Sequence, residues 1–162
     1  MRATLLLFLF FVAPAVALPP PPVTLTATVT RVVDGDTIDV EVAVWPGLFA
    51  RTAIRLVGMD APELFHPRCP EEQALAQHAR DSLVALLPPG RQVWLLRPHT
   101  DKFGGRMDAR VLLSDGTDIA ERQIAAGLAK PYGGGTRSDW CPAKRGLFKG
   151  GRFVVPIPGL GH

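Results

Sequence analysis

Apolar and polar side chains alternate along three stretches between residues 24 and 57. This period of two is typical of β-strands that bury one face, and it predicts strands over Thr24–Val33, Thr37–Val44 and Ala50–Val57. Asp34-Gly35 lies between the first two strands and favours a tight hairpin turn. Trp45-Pro46-Gly47 interrupts the alternation before the third strand. We therefore expect three consecutive strands, the first two of them joined as a hairpin.

The rest of the chain predicts two helices and two more strands. Apolar residues at helical spacing predict a helix over Glu71–Leu87, and an acidic cap predicts a second helix over Asp118–Ala126. Short alternating stretches predict strands over Gln92–Leu96 and Arg106–Leu113. Five short strands must hide their edges, and closure into a barrel does so. The expected fold is mainly β with helices: a five-stranded OB-fold barrel with two or more packed helices.

The two ends of the chain have compositions that differ from the middle. Residues 1–17 combine a basic start, an apolar run and the small residues Ala15-Val16-Ala17, which indicate a secretory signal peptide and an exported protein, periplasmic or secreted. The alternative is a retained anchor, but the apolar run is too short to span a bilayer. Residues 18–23 form a Pro-rich spacer. The folded domain is expected over 24–132, followed by a Gly/Pro-rich tail over 133–162.

Charge and cysteine content narrow the possible partners and sites. The formal net charge is only +3, so affinity for a polyanion requires a local basic patch. Two cysteines in an exported chain predict one disulfide between Cys69 and Cys141, the alternative being two free buried thiols. A structural zinc site requires four ligands, so these two cysteines alone cannot form one. His66, His78 and His99 show no metal-ligand spacing, and we expect them at the surface.

The first candidate for chemistry is the turn Asp34-Gly35-Asp36-Thr37. Here Asp36 can direct a carboxylate oxygen at a hard cation such as calcium, which prefers oxygen ligands. The alternative is a plain hairpin turn. The segment from Arg55 through Asp60 to Glu63 is more specific, since it combines a phosphate-binding group, a cation ligand and a base. Its alternative is a strand-edge arginine with surface acids.

The second candidate is the polar loop Asp101 to Arg106. Arg106 begins the polar face of a strand, where its guanidinium can donate two parallel hydrogen bonds to phosphate oxygens. Phe103 in this loop can stack on a base, and so can Tyr132. Packing in the core or at the surface is the alternative for both aromatic residues.

These segments occur in an order that resembles a known family, the thermonucleases, which are staphylococcal-nuclease-like calcium-dependent nucleases. The resemblance covers roughly Thr26 to Tyr132. It rests on four motifs: Val33-Asp34-Gly35-Asp36-Thr37, Arg55 with Asp60-Ala61-Pro62-Glu63, Asp101-Lys102-Phe103-Gly104-Gly105-Arg106, and Gly127-Leu128-Ala129-Lys130.

The resemblance implies a fold, a reaction and a set of site residues. It implies an OB-fold barrel that hydrolyses DNA and RNA with low sequence specificity and leaves 3′-phosphates. It also implies Ca²⁺ as cofactor. The implied roles are calcium binding by Asp36, Asp60 and the Ala61 carbonyl, activation of water by Glu63, phosphate binding by Arg55 and Arg106, and substrate contact by Lys102, Phe103 and Tyr132.

The sequence also departs from the family pattern. Gly105 is an additional glycine before Arg106, which leaves the reach of that arginine open, and Phe103 replaces a tyrosine. A glycine-rich tail stands where the family has a long C-terminal helix. We expect a monomer without a stable membrane anchor that prefers single strands. The alternative is a non-catalytic OB-fold module that binds oligonucleotide or another anionic polymer.

Overall fold

The computed structural model describes residues 23–102 and 104–142. The predicted signal peptide, the spacer up to residue 22, Phe103 and the tail from residue 143 lie outside the described residues. Among the residues that are described, no helix has the length and apolar character needed to cross a membrane.

Five strands form a closed barrel. In chain order the elements are β1 (Thr24–Val32), β2 (Thr37–Trp45), β3 (Leu48–Leu56), β4 (Gly58–Asp60), α1 (Pro70–Leu86), β5 (Gln92–Thr100), β6 (Arg106–Leu112), α2 (Ile119–Ala125) and β7 (Lys130–Tyr132). The barrel order is β1-β2-β3-β6-β5, and β1 pairs with β5 to close it. Only the β3–β6 pair is parallel among these barrel strands. The predicted OB-fold barrel with two helices is thereby confirmed.

The alternating apolar residues of these strands form the barrel core. Val29, Ile38 and Ile54 are fully buried on three successive strands. In β1 the inward face changes register, because the pairing with β2 shifts between Val29 and Arg31. Val32 is therefore buried, whereas Val33, which would share the face of Val29 if the alternation continued, is only partly buried. A β-bulge of this kind is not visible in a period-two pattern.

Helix α1 covers the barrel on the side of the β1–β2 turn. It begins after Cys69, with Pro70 in its first turn, and it buries Ala79 and Leu83. Helix α2 is joined to it by Gln123, whose side-chain amide donates to the Ala79 carbonyl at 2.8 Å. The two helices thus pack against each other, and α1 lies against the turn that carries Asp36.

A second, two-stranded sheet was not predicted. It pairs β4 with β7 in antiparallel register, with Gly58 opposite Tyr132 and Asp60 opposite Lys130. Gly58 has a φ of +96°, which lets the chain leave β3 and enter β4 after a single residue. Three-residue strands show no usable periodicity. This sheet nevertheless determines where Asp60 and Tyr132 lie.

Candidate active site

The turn after β1 is built to approach the rest of the site closely. Gly35 has no room for a side chain, since a Cβ there would lie 2.9 Å from the Ala61 Cβ and 3.0 Å from the Ala79 Cβ. Asp34 Oδ1 accepts a hydrogen bond from the Asp36 backbone N–H at 3.0 Å, which fixes the turn. Asp36 is almost completely buried. The turn therefore carries a buried carboxylate and packs closely against Ala61 and α1.

Strand pairing brings Arg55 to the same place. Thr37 and Arg55 are register partners in the β2–β3 ladder, so Arg55 emerges next to Asp36. One terminal guanidinium nitrogen of Arg55 lies 3.3 Å from Asp36 Oδ2. The side chain of Arg55 is largely buried, with 17% of its surface exposed. A guanidinium held this rigidly is well suited to contact a phosphate.

Strand β4 and the loop after it carry the predicted acids. Asp60 is fully buried and Ala61 nearly so, whereas Glu63 keeps 34% of its side-chain surface exposed. The backbone N–H of Glu63 donates to Glu72 Oε1 at 3.4 Å, and that of Arg68 donates to Glu72 Oε2 at 2.7 Å. Glu72 is a buried residue of α1, so this helix holds the loop that presents Glu63.

The predicted phosphate ligands and the predicted base border one small cavity of about 70 Å³. Arg106 reaches this cavity despite the additional Gly105. Its Nε donates to Asp101 Oδ2 at 2.5 Å, which orients the guanidinium. The residues around the cavity include Asp34, Asp36, Arg55, Glu63, Arg106 and Arg137.

A larger groove of about 620 Å³ adjoins the site and contains two of the predicted substrate contacts, Lys102 and Tyr132. Both arginines, Arg55 and Arg106, also line it. The Tyr132 hydroxyl donates to the Gly135 carbonyl at 2.7 Å, so the hydroxyl is already hydrogen-bonded within the chain. The third predicted contact, Phe103, lies outside the described residues.

The sequence interpretation missed Arg137, which lies in the region predicted as tail. Its Nε donates to Asp60 Oδ1 at 2.7 Å, and a terminal nitrogen donates to the Ala61 carbonyl at 3.1 Å. It also lies 3.6 Å from Asp36 Oδ2 and 3.5 Å from Glu63 Oε2. One guanidinium thus contacts every acid assigned to cation binding or catalysis. The only sequence signal was its position four residues before Cys141.

The predicted disulfide between Cys69 and Cys141 is confirmed, with a Cα–Cα distance of 6.0 Å. It joins the start of α1 to the segment that carries Arg137. The predicted surface position of His66, His78 and His99 is also confirmed, since all three are exposed.

The electrostatic environment differs among the carboxylates. Burial disfavours ionisation of Asp60, but hydrogen bonds from the Ser138 backbone N–H and from Arg137 outweigh it and hold the pKa of Asp60 below its ordinary value. The pKa of Asp34 is raised to about 6, first by burial and then by repulsion from Asp36. For Arg137, burial opposes the charge, and the contact with Asp60 more than compensates, so its pKa is raised.

The oxygen atoms of the predicted metal ligands are of a type that binds a hard cation. Asp36 Oδ2 is buried and accepts no hydrogen bond from the described residues. Asp60 and the Ala61 carbonyl add oxygen atoms in the same region, because all three groups contact the Arg137 guanidinium. Oxygen ligands with two carboxylates suit calcium in type and charge. These groups are the ones that could hold such an ion.

The chain folds as an OB-fold barrel that carries buried acids and arginines at one edge. Comparison with known proteins identifies its family. Residues 53–139 match the family described as staphylococcal nuclease homologue, and this match covers more than half of the chain. The chain belongs to this family.

Three curated relatives share part of their length with this chain. Endonuclease YhcR of Bacillus subtilis (strain 168) is 32% identical over 111 residues, which is 64% of this chain and 9% of that protein. A protein named "Uncharacterized endonuclease" from Escherichia coli O157:H7 is 33% identical over 106 residues, covering 64% of this chain and 59% of its own length. Protein ParB of Escherichia coli is 37% identical over 76 residues, 47% of this chain and 36% of ParB. The match thus spans less than two thirds of each relative.

Proposed function

We propose that this chain is an exported, calcium-dependent nuclease that hydrolyses phosphodiester bonds of DNA and RNA with low sequence specificity. The observation that carries the proposal is that Arg55, Glu63 and Arg106 border one cavity beside the buried acids Asp36 and Asp60. Membership in the staphylococcal nuclease homologue family supports it, and two of the relatives are named endonucleases.

The two arginines match the charge that develops during phosphodiester hydrolysis. Attack on phosphorus increases the negative charge on the phosphate oxygens, and donors that are already oriented stabilise this charge most effectively. Arg55 is oriented by Asp36 and Arg106 by Asp101. Each guanidinium retains N–H groups for the phosphate, since a guanidinium carries five donors.

Glu63 is the residue that we assign to proton removal from the attacking water. Its side chain is partly exposed at the edge of the cavity, so water reaches it. Its Oε1 accepts from the Phe65 backbone N–H at 3.1 Å, which holds the carboxylate in place. Departure of the 5′-oxygen would leave a 3′-phosphate on the product.

Asp36, Asp60 and the Ala61 carbonyl are the proposed calcium ligands. When bound there, the ion would supply positive charge beside the phosphate and make a nearby water easier to deprotonate. The acids alone would repel a phosphate. A cation bound between these acids would offset that repulsion.

The adjoining groove suits single strands. Lys102 provides positive charge and Tyr132 an aromatic face, and Phe103 is a further predicted stacking residue. Contacts directed mainly at phosphate carry little sequence information, and stacking requires unpaired bases. We therefore assign single-stranded DNA and RNA as the preferred substrates.

We also propose that the active unit is a monomer and that the protein is exported. The disulfide supports export, because such bonds persist in oxidising compartments.

The second candidate function is that of a non-catalytic OB-fold module that binds oligonucleotide or another anionic polymer. Such a module needs basic and aromatic contacts with its ligand, but it does not need a side chain that acts as a general base. The presence of Glu63 and Asp36 at the same cavity, with the buried Asp60 linked to both through Arg137, favours the enzyme.

The test uses protein without residues 1–17, incubated with plasmid DNA and with single-stranded DNA. Cutting is expected in calcium chloride and not in excess chelator, and it should be faster on the single strand. Mass spectrometry of the fragments should detect 3′-phosphates. Undiminished cutting in chelator would contradict the calcium assignment, and tight binding without cutting would favour the binding module.

A further inference from the structure

Arg137 occupies the point on which the proposed calcium ligands converge. Its guanidinium donates to Asp60 Oδ1 at 2.7 Å and to the Ala61 carbonyl at 3.1 Å, and it lies 3.6 Å from Asp36 Oδ2. These three residues are the complete predicted ligand set. The positive groups that neutralise them in this structure therefore belong to the chain itself: Arg137 contacts all three, and Arg55 also lies 3.3 Å from Asp36 Oδ2.

The segment that carries Arg137 is held in place by several contacts. The Ser138 backbone N–H donates to Asp60 Oδ2 at 2.9 Å, and the Ser138 carbonyl accepts from Arg68 at 3.0 Å. The Lys130 ammonium donates to the Asp139 carbonyl at 2.8 Å. Its Nζ also lies 4.2 Å from the centre of the Trp140 ring. With the disulfide at Cys141, these contacts make Arg137 a positioned residue and not a loose surface side chain.

Charge explains why a counter-ion is needed there. Asp36 and Asp60 are 4% and 0% exposed, and buried carboxylates are costly unless they are paired. Arg137 pairs with both. Removing one partner of such a buried group leaves an uncompensated charge. Without a divalent ion, Arg137 therefore stabilises the folded site.

The guanidinium and a calcium ion cannot share these oxygens. Calcium binds oxygen ligands at about 2.3–2.6 Å, which requires direct contact with the atoms that Arg137 now contacts. Two cations at that separation would also repel one another strongly. Binding of the ion requires Arg137 to withdraw from Asp60 and the Ala61 carbonyl.

We propose that Arg137 is a tethered counter-ion that competes with calcium for the carboxylate centre, and that the Cys69–Cys141 disulfide maintains this competition by keeping the guanidinium close. The inference rests on the proposed cation site. A tethered group acts at a high effective concentration, so its loss should raise the apparent affinity for calcium. The site then stays folded when calcium is scarce and admits the ion only when calcium is abundant.

Isothermal titration of calcium chloride into the oxidised protein tests this proposal. Arg137→Gln should bind calcium about 10-fold or more tightly than wild type, which corresponds to at least ~1.4 kcal/mol. Arg137→Lys keeps a positive charge that can form fewer contacts, so its calcium affinity should lie between those of wild type and Arg137→Gln. Arg51→Gln removes the same charge from an exposed arginine that pairs with Glu41, and should match wild type.

Thermal melting gives a second readout. In chelator, Arg137→Gln should melt below wild type, and calcium should raise its melting temperature more than it raises that of wild type. Equal calcium affinity in wild type and Arg137→Gln would overturn the competition while leaving the cation site intact. Weaker binding by Arg137→Gln would also overturn it, since Arg137 would then assist the ion. Absence of calcium binding in every variant would overturn both this inference and the calcium assignment.

Discussion

The buried carboxylate of Glu72 accepts a hydrogen bond from the backbone N–H of Glu63, so the proposed catalytic base is positioned by a residue of α1. The other oxygen of Glu72 accepts from the Arg68 N–H at 2.7 Å. Both ends of the loop between β4 and α1 are therefore fixed to one side chain. The position of Glu63 depends on a helix that contributes no catalytic group of its own.

Replacing Glu72 should affect both stability and turnover. Glu72→Gln removes one acceptor and the negative charge, which should cost about 1–3 kcal/mol of unfolding free energy and lower kcat as Glu63 loses its support. Urea unfolding and kcat on single-stranded DNA measure the two effects. Glu71→Gln is the matched control, because Glu71 is an exposed residue of the same helical turn. Equal free energies of unfolding and equal kcat values for the two variants would show that Glu72 does not hold the loop.

Arg106→Lys is expected to lower kcat/KM nearly as much as Arg106→Ala. Lysine retains the charge but cannot form two parallel hydrogen bonds with a phosphate. Arg51→Lys, at an exposed position paired with Glu41, controls for the change in side-chain type. If Arg106→Lys kept the wild-type kcat/KM, Arg106 would act only as a general attractor of polyanions.

Gly35→Ala should destabilise the protein by about 1–3 kcal/mol, because the added methyl group meets two fixed neighbours. These neighbours are the Cβ atoms of Ala61 and Ala79, at 2.9 Å and 3.0 Å. Gly133→Ala is the control, since a Cβ there meets nothing within 4 Å. Urea unfolding of both variants measures the difference. A Gly35→Ala protein as stable as Gly133→Ala would mean that the turn is free to move away from α1.

Reduction of the disulfide should lower the free energy of unfolding. The bridge spans a sequence separation of 72 residues, for which chain entropy gives an upper figure of roughly 4 kcal/mol. Denaturant unfolding with and without reductant measures the change. The double variant Cys69→Ala/Cys141→Ala should match the reduced wild type and show no further response to reductant. An unchanged unfolding midpoint on reduction would remove the structural role of the bridge.

The barrel was predictable from sequence because each of its strands buries one face. Val40, Ile54 and Val111 occupy the alternating positions that the period-two pattern marks, and all three are buried. The candidate site residues from Asp36 to Glu63 were predicted from their local context and given roles through motif resemblance, since alternation alone does not distinguish a surface acid from a ligand.

Other features were not predictable because they depend on tertiary contacts. Strands β4 and β7 are three residues each, too short for a periodic pattern. Arg137 lies in a glycine-rich segment without periodicity, and its role follows from strand β4, the disulfide and Asp60 together. The sequence predicted the bridge from Cys69 to Cys141, but not that the bridge brings an arginine to the acids.

Turnover of Glu63→Gln is the most direct test of a nuclease centre at this cavity. The substitution keeps the shape of the side chain and removes the base, so kcat should fall on the order of 10²–10⁴-fold. The dissociation constant for a single-stranded oligonucleotide should change little, because Arg55 and Arg106 remain. Rapid mixing at saturating calcium, with binding measured on the same oligonucleotide, gives both quantities. A wild-type kcat in Glu63→Gln would contradict the proposed centre.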